Sequence, residues 1–331
     1  MAVMDARQSR ALAHVDLSGP GLEIGPSYLP LVPRQLWPQV ETVDHASRAE
    51  LVAKYRSHGL AQRELDRIED VDHVWTGGSL ATAVGRKGHY GYVVGAHAIE
   101  HSVDLIGFLQ DCQTLLRADG RLALVVPDKR ACFDLFKPLS SLGGVVDAHL
   151  RPTTFHPPGA SLDHLAYACT LDERIVWSPG QSGQLHTQFA DLSAAQVAIE
   201  QGVEQQAYHD AHRWVFTPAS FSLLIADLAE LGYHGLREVG SAPTHGFEFY
   251  VTLAKTAAPV RREPRIERLL QVQAELSADG RRGAEEEIRV LRDSLMRAQA
   301  DAEGLRASTS WRVTAPLRSL SDRLHRRTAA R

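Results

Sequence analysis

The sequence predicts an α/β protein: an open, doubly wound sheet of parallel strands, followed by a helical, coiled-coil appendage. Three observations predict it. From residue 21 to residue 126, short apolar strand patterns alternate with helix patterns, the rhythm of parallel strands joined by right-handed crossovers. The stretch Gly21-Leu22-Glu23-Ile24-Gly25-Pro26-Ser27 runs a buried strand into a glycine turn, and a second apolar run, Val40-Glu41-Thr42-Val43, ends in Asp44, 21 positions after Glu23. A carboxylate about 20 residues past such a turn is where a sheet of this kind grips ribose hydroxyls. Last, Ala284, Ile288, Leu291, Leu295, Ala298, Ala302 and Leu305 step alternately by four and three, the spacing of a coiled-coil seam.

In chain order, residues 1–20 read as a short helix and a loop closed by Gly19-Pro20-Gly21. After the first strand, a turn holding Pro26, Pro30 and Pro33 replaces a clean helix start. Ser47 caps a helix to residue 56. Residues 71–75 form the third strand, broken at Thr76-Gly77-Gly78, and 79–84 a short helical piece. The fourth strand is 90–96, an amphipathic helix 105–116, and the fifth strand 121–126, stopped by Pro127. Residues 129–212 break the rhythm. They are rich in His, Pro and Gly, with short helices near 161–175 and 192–206, and read as an insertion on the substrate side. Thr217-Pro218 opens a helix to residue 231, with proline in its first turn, and 236–239 and 247–253 form a closing strand pair. The expected domains are 1–258 for the sheet domain, 259–305 for the helical segment, and 306–331 for a basic amphipathic tail.

Lys and Arg total 36 against 40 Asp and Glu, a net charge of −4, which gives no general affinity for nucleic acid. Cys112, Cys132 and Cys169 are odd in number and lack metal or redox spacing, as expected of reduced thiols. No apolar run approaches a membrane span or a signal peptide, so a cytoplasmic location is expected. Residues 305–331 hold seven arginines against one aspartate, interleaved with Trp311, Val313, Leu317, Leu320 and Leu324. That pattern suits a peripheral contact with the inner face of a membrane or with a protein partner; a solvated tail is the plain alternative. The heptad seam points to a homo-oligomer, with one helix lying on the main domain as its alternative.

Several phrases share one resemblance. Leu22-Glu23-Ile24-Gly25-Pro26 with Asp44, Ile99-Glu100-His101, the D-K-R-x-x-F-D run of 128–134 and the H-x-W-x-F-T-P run of 212–218 resemble motifs of the class I S-adenosylmethionine-dependent methyltransferases, and more narrowly their type-11-like group. The resemblance covers about residues 22–255. It implies a Rossmann-like sheet of seven strands, the seventh antiparallel, and S-adenosylmethionine as cofactor. Residues 308–318 resemble a segment of bacterial enzymes of surface-polysaccharide assembly, which points to O-methylation of a sugar hydroxyl on a small-molecule or glycan acceptor. Two alternatives stand beside this: methylation of another small molecule (a phenol, quinone or lipid), and a non-catalytic methyltransferase-like scaffold. An NAD site is disfavoured, because Ser27 stands where a dinucleotide fingerprint needs its second glycine for the backbone to approach pyrophosphate.

The resemblance assigns Glu23, Gly25, Pro26, Ser27, Asp44, His45, Thr76 and His97 to the cofactor. Thr76 departs from relatives that carry an aspartate there to meet the adenine amino group; that contact is altered or moves to Asp72. His101 is the expected general base, its ordinary pKa lying near working pH. Glu100 orients a histidine or binds substrate, and Asp128 faces the same cleft from the next strand. Lys129 and Arg130 suit an anionic acceptor, and Phe133, His212 and Trp214 complete the substrate side, with imidazole and indole against a sugar ring. His149, His156, His164, His186 and His209 are expected to be surface or structural. His97-x-x-Glu100-His101 also spells an inverted zinc-protease motif, but that motif needs one long helix and here it follows a strand. The reading carries no metal; a hydroxyl-activating cation would draw on His97, Glu100, His101 and Asp128.

Overall fold

The computed structural model describes residues 4–188, 192–205, 210–255 and 264–313. The chain begins with α1 (Ala6–Ala11), capped by Asp5, and β1 (Gly21–Ile24), β2 (Val40–Asp44) and α2 (Arg48–Ser57) follow. Ser47 caps α2 in a reciprocal pair with Glu50, as its sequence predicts. Next come α3 (Gln62–Leu65), β3 (His73–Val74), α4 (Leu80–Val84) and β4 (Tyr90–Ala96). A 3₁₀ turn, Ile99–His101, leads to α5 (Leu105–Leu115), and β5 (Leu116–Pro127) continues directly from it. The region after β5 holds a second 3₁₀ turn (Lys129–Ala131), α6 (Leu142–Leu150), α7 (Pro158–Tyr167), β6 (Cys169–Leu171), β7 (Leu185–Thr187) and α8 (Leu192–Gln205). The sheet closes with α9 (Pro218–Glu230), β8 (Leu236–His245) and β9 (Glu248–Lys255). Last are α10 (Arg265–Ala307) and α11 (Thr309–Val313).

The central sheet has seven strands in the order β3-β2-β1-β4-β5-β9-β8. The first five are parallel neighbours; β9 runs antiparallel to β5, and β8, antiparallel to β9 in the closing hairpin, returns to the direction of the first five. The strand order reverses between β1 and β4, which opens the crevice where α/β sheets bind ligands. This is the sheet the resemblance implies.

Helices cover both faces of the sheet, so its central strands read as continuous apolar runs. Val93, Leu122, Leu124 and Val251 face α5 and α9, packing on Leu105, Leu109, Phe221 and Leu228. Tyr92, Val94, Ala123 and Val125 face the other way, onto Ala11 and Leu12. Gly21 permits this packing, since a Cβ there would lie 2.0 Å from the Tyr92 ring.

Three differences from the sequence have physical causes. β3 is only two residues long, because the Asp72 carboxylate accepts the Thr42 N–H at 2.7 Å and takes an edge position that a longer strand would fill. The region after β5 contains α6 and a small antiparallel β6–β7 sheet that no periodicity announced. α10 runs without a break through Gly280 and Gly283; each glycine costs a helix only about 1 kcal/mol. The chain parts into two compact units between Glu275 and Leu276. The early turns of α10 belong to the first, where Arg265 forms an ion pair with Asp227 at 2.9 Å and Glu275 accepts the Ala219 N–H at 3.1 Å. The second unit is helical; residues 314–331, which include most of the basic tail, lie outside the described residues. None of the described helices is long and apolar enough to cross a membrane.

Candidate active site

The carboxyl ends of β1, β2 and β4 meet at the crevice. The Gly25 N–H donates to the Val43 carbonyl at 2.8 Å, which sets the glycine beside Asp44. Gly25 has φ +64°, and no heavy atom lies within 4 Å of where its Cβ would be. A left-handed glycine turned toward open space is a cradle that a side chain would both strain and fill. Ser27 also takes a positive φ, 48°, and its hydroxyl oxygen is buried. Pro26 is buried and its carbonyl accepts the Leu29 N–H at 3.1 Å.

Both Glu23 oxygens are taken by the loop: the Leu31 and Val32 N–H groups donate to them at 2.6 and 3.1 Å. Burial pushes the Glu23 carboxyl up to about 7 in spite of these bonds. Glu23 therefore shapes the loop that carries Gly25. The buried Asp44 carboxylate accepts the His45 N–H at 2.7 Å and meets His45 Nδ1 at the same distance. Thr76 is exposed just beyond β3. Asp72 is committed to Thr42 and Arg34 on the flank of β2.

The β4–β5 side of the crevice is a chain of charged pairs. His97 follows β4 with φ 51°, and both its nitrogens are in use: Nε2 meets Glu248 at 2.7 Å and Nδ1 meets Glu100 at 3.2 Å. Burial opposes the His97 charge, but these two carboxylates outweigh it and hold the imidazole up at about 9. Arg7 donates to both Glu248 oxygens at 2.8–3.1 Å. Burial would raise Glu248, yet His97 and Arg7 bring it down to about 2.

Glu100 is fully buried, and its backbone carbonyl accepts the Arg213 and Trp214 N–H groups at 2.8 and 3.1 Å. His101 Nδ1 meets Asp210 at 2.8 Å. Burial pulls His101 down, but Asp210 and Glu100 raise it further than burial lowers it. His212 Nδ1 meets Asp134 at 2.5 Å, and Lys137 meets the same carboxylate at 3.3 Å. His101 and His212 lie edge to face, ring centroids 4.6 Å apart, and Phe133 tilts against His212 at the same distance.

Of the sequence-predicted residues, the structure brings Glu100, His101, His212 and Phe133 together. Asp128 stands apart. Its carboxylate accepts from the Arg130 backbone and guanidinium at 2.6–3.0 Å and from Thr244 at 2.5 Å. That leaves it a structural anchor and not a base facing His101. Arg130 is spent on Asp128, and the buried Lys129 donates to the Leu135 carbonyl at 2.5 Å, so this pair is committed inside the fold and not to an anionic acceptor. Trp214 is core: buried in the main apolar cluster, it donates to the Ser102 carbonyl at 2.7 Å.

Two of the histidines expected to be surface or structural are packed inside the fold. His156 is buried, and His164 packs edge-on against Phe133; burial pulls both imidazoles down to about 4. His149 pairs with Asp104 at 2.8 Å, His186 is exposed on β7, and His209 lies outside the described residues. Asp134, Asp210 and Glu248 were the residues missed. Asp134 ends the D-K-R-x-x-F-D phrase, Asp210 lies two residues before His212, and Glu248 is the lone acid in an apolar strand, a signal that could have found it.

No known family and no curated protein matches this sequence. Solved structures of similar shape include mitomycin 7-O-methyltransferase MmcR (13% identity, TM-score 0.34, covering 75% of this chain). This chain spans only 53% of MmcR's length. A DhpI–S-adenosylhomocysteine complex is 15% identical with a TM-score of 0.37, covering 77% of this chain and 87% of that one. A Rhodobacter sphaeroides protein described as a zinc-dependent alcohol dehydrogenase is 12% identical with a TM-score of 0.41, covering 77% and 92%. At these scores the likenesses assign no activity to this chain.

Proposed function

We propose that this protein is an S-adenosylmethionine-dependent methyltransferase acting on an oxygen acceptor. One observation carries the reading: the open cradle at Gly25 lies beside the Asp44 carboxylate, at the reversal point of a seven-stranded sheet with an antiparallel last hairpin. The residues fit the cofactor. The left-handed glycine leaves room for close backbone approach, and Asp44 is an acceptor placed for two ribose hydroxyls. Thr76 and His45 flank the same edge. When bound, S-adenosylmethionine supplies an electrophilic methyl group carried on a sulfonium.

The chain's own part is to hold, orient and move a proton. Glu23 sets the loop, and the Arg7–Glu248–His97 pairs hold the end of β4. Orientation of acceptor against methyl group supplies most of the acceleration. The acceptor proton leaves at the Glu100, His101 and His212 cluster, with His101 backed by Asp210 as the accepting group. Phe133 and the imidazoles of His101 and His212 offer a face and edges suited to a sugar ring, with Phe133 taking the place expected of Trp214. With the resemblance of residues 308–318, this supports a sugar hydroxyl of a bacterial glycan precursor as acceptor.

Calorimetric titration with S-adenosylhomocysteine, alongside NAD and the Asp44→Ala variant, tests the reading. Micromolar binding that weakens about 10–100-fold in Asp44→Ala, with none to NAD, is the expected result. Absence of binding by the folded protein overturns it, and an acceptor panel of sugars, phenols and lipids then separates the substrate classes.

A further inference from the structure

We propose that Glu100, His101 and His212 form a binding site for a divalent transition-metal cation of the zinc or cobalt kind. One ligand-capable atom from each side chain lies within 4.8 Å of the others, so small side-chain motions bring all three to about 2.0–2.2 Å from one ion. The residues come from a 3₁₀ turn after β4 and from the segment entering α9, and the bonds from Glu100 O to the Arg213 and Trp214 N–H groups tie these segments together.

Two features distinguish this set from a chance cluster. Glu100 is fully buried, and neither of its carboxylate oxygens makes a hydrogen bond of good geometry; its nearest cationic neighbour is His97 Nδ1 at 3.2 Å. His97 is shared with Glu248, which it meets more closely, at 2.7 Å, so a coordinated cation would add to the compensation of this buried carboxylate. Both imidazoles meet a carboxylate through Nδ1: His212 meets Asp134 at 2.5 Å and His101 meets Asp210 at 2.8 Å. Metal-binding histidines commonly carry a carboxylate partner of this kind, which orients the ring. Charges near the set include Lys137 on Asp134, Lys54 at 3.9 Å from Asp210, and His97 on Glu100.

Two imidazoles with one carboxylate suit a borderline cation; magnesium and calcium take all-oxygen sets. The structure replaces two of the ligands that spacing suggested. His97 has both nitrogens on carboxylates and Asp128 is held by Arg130 and Thr244, while His212 arrives from more than a hundred residues away. The proposal rests on the methyl-transfer reading for its purpose: when the cation is bound, it would activate the acceptor hydroxyl in place of His101 acting as the base; these three residues supply the site.

The test is a titration of metal-stripped, full-length protein with cobalt(II), followed by its visible absorption, with zinc as competitor and magnesium as control. One cobalt per chain is expected, displaced by zinc and indifferent to magnesium. His101→Ala and His212→Ala should each abolish the band, and Asp134→Asn should weaken affinity about 10–100-fold. Circular dichroism establishes that each variant is folded, and Glu100→Gln serves where a histidine variant is not. No band, or a band that survives both histidine substitutions in folded protein, overturns the proposal. S-adenosylhomocysteine titration of the same samples separates the two readings: binding without cobalt uptake sinks the metal site alone, and cobalt uptake without S-adenosylhomocysteine binding sinks the methyl-transfer reading alone.

Discussion

The two sides of the crevice are built differently. On the β1–β2 side, a few residues close in sequence do the work. Gly25 and Asp44 stand beside each other because strand register puts them there, and Glu23 is satisfied by N–H groups eight and nine residues on. On the β4–β5 side, charged pairs join residues far apart: Arg7 with Glu248, His97 with Glu248, His212 with Asp134. The first side depends on backbone conformation, the second on mutual compensation among buried charges. Damage to the first should therefore read out mainly in ligand affinity, and damage to the second in stability and chemistry together.

The largest effect should come from His101→Ala. With an acceptor identified, turnover is expected to fall about 10²–10⁴-fold, while the affinity for S-adenosylhomocysteine stays within a factor of a few. An equal loss of affinity would show that the two sides are not separate. Next is Glu248→Ala, which strips the compensating carboxylate from His97 and Arg7. Removing one partner of a buried pair costs about 3 kcal/mol at the low end of its range, and the low end applies because the Arg7 side chain is 27% exposed. Urea unfolding would measure it, and an unchanged midpoint would mean the pairs are ornament. Asp44→Ala should weaken S-adenosylhomocysteine about 10–100-fold by loss of charge-assisted hydrogen bonds, with little change in the unfolding midpoint.

The pH dependence sharpens the contrast. His97, raised from 6.5 to about 9, contributes stability that is full below pH 6.5 and is lost as pH rises through about 9. Glu248, lowered from 4.5 to about 2, contributes stability that is full above pH 4.5 and is lost as pH falls through about 2. Their joint contribution should therefore be flat between pH 4.5 and 6.5 and fall on both sides, and Glu248→Ala should flatten the alkaline limb. Urea midpoints across that range check it. The smallest effect is Trp214→Phe, which removes one hydrogen bond to Ser102 and should cost about 1 kcal/mol with no change in ligand affinity.

The sheet was legible because its signals are local. Alternating apolar runs, the Ser47 and Thr217 caps and the Gly25 turn each depend on a few neighbouring residues, and the structure places an element at each of them. The region from 129 to 212 was not legible in the same way, since α6 and the β6–β7 pair are stabilised by packing on the sheet domain and not by periodicity. Within the site, Glu100, His101 and His212 could be named from their phrases. Asp128 and Trp214 were misplaced because residue type alone does not say which way a side chain turns.

The class of fold, the strand that ends in a glycine turn, and the carboxylate that ends the next one are all readable locally, because strand period, turn chemistry and capping act over a few residues. Which charges face one another depends instead on packing between segments far apart in the chain. Glu248 reaches His97 across 151 positions and Asp134 reaches His212 across 78, and no local rule carries such pairings. They arise where burial makes an unpaired charge too costly to keep, a condition that exists only once the sheet, its insertion and α9 have closed around the same small space.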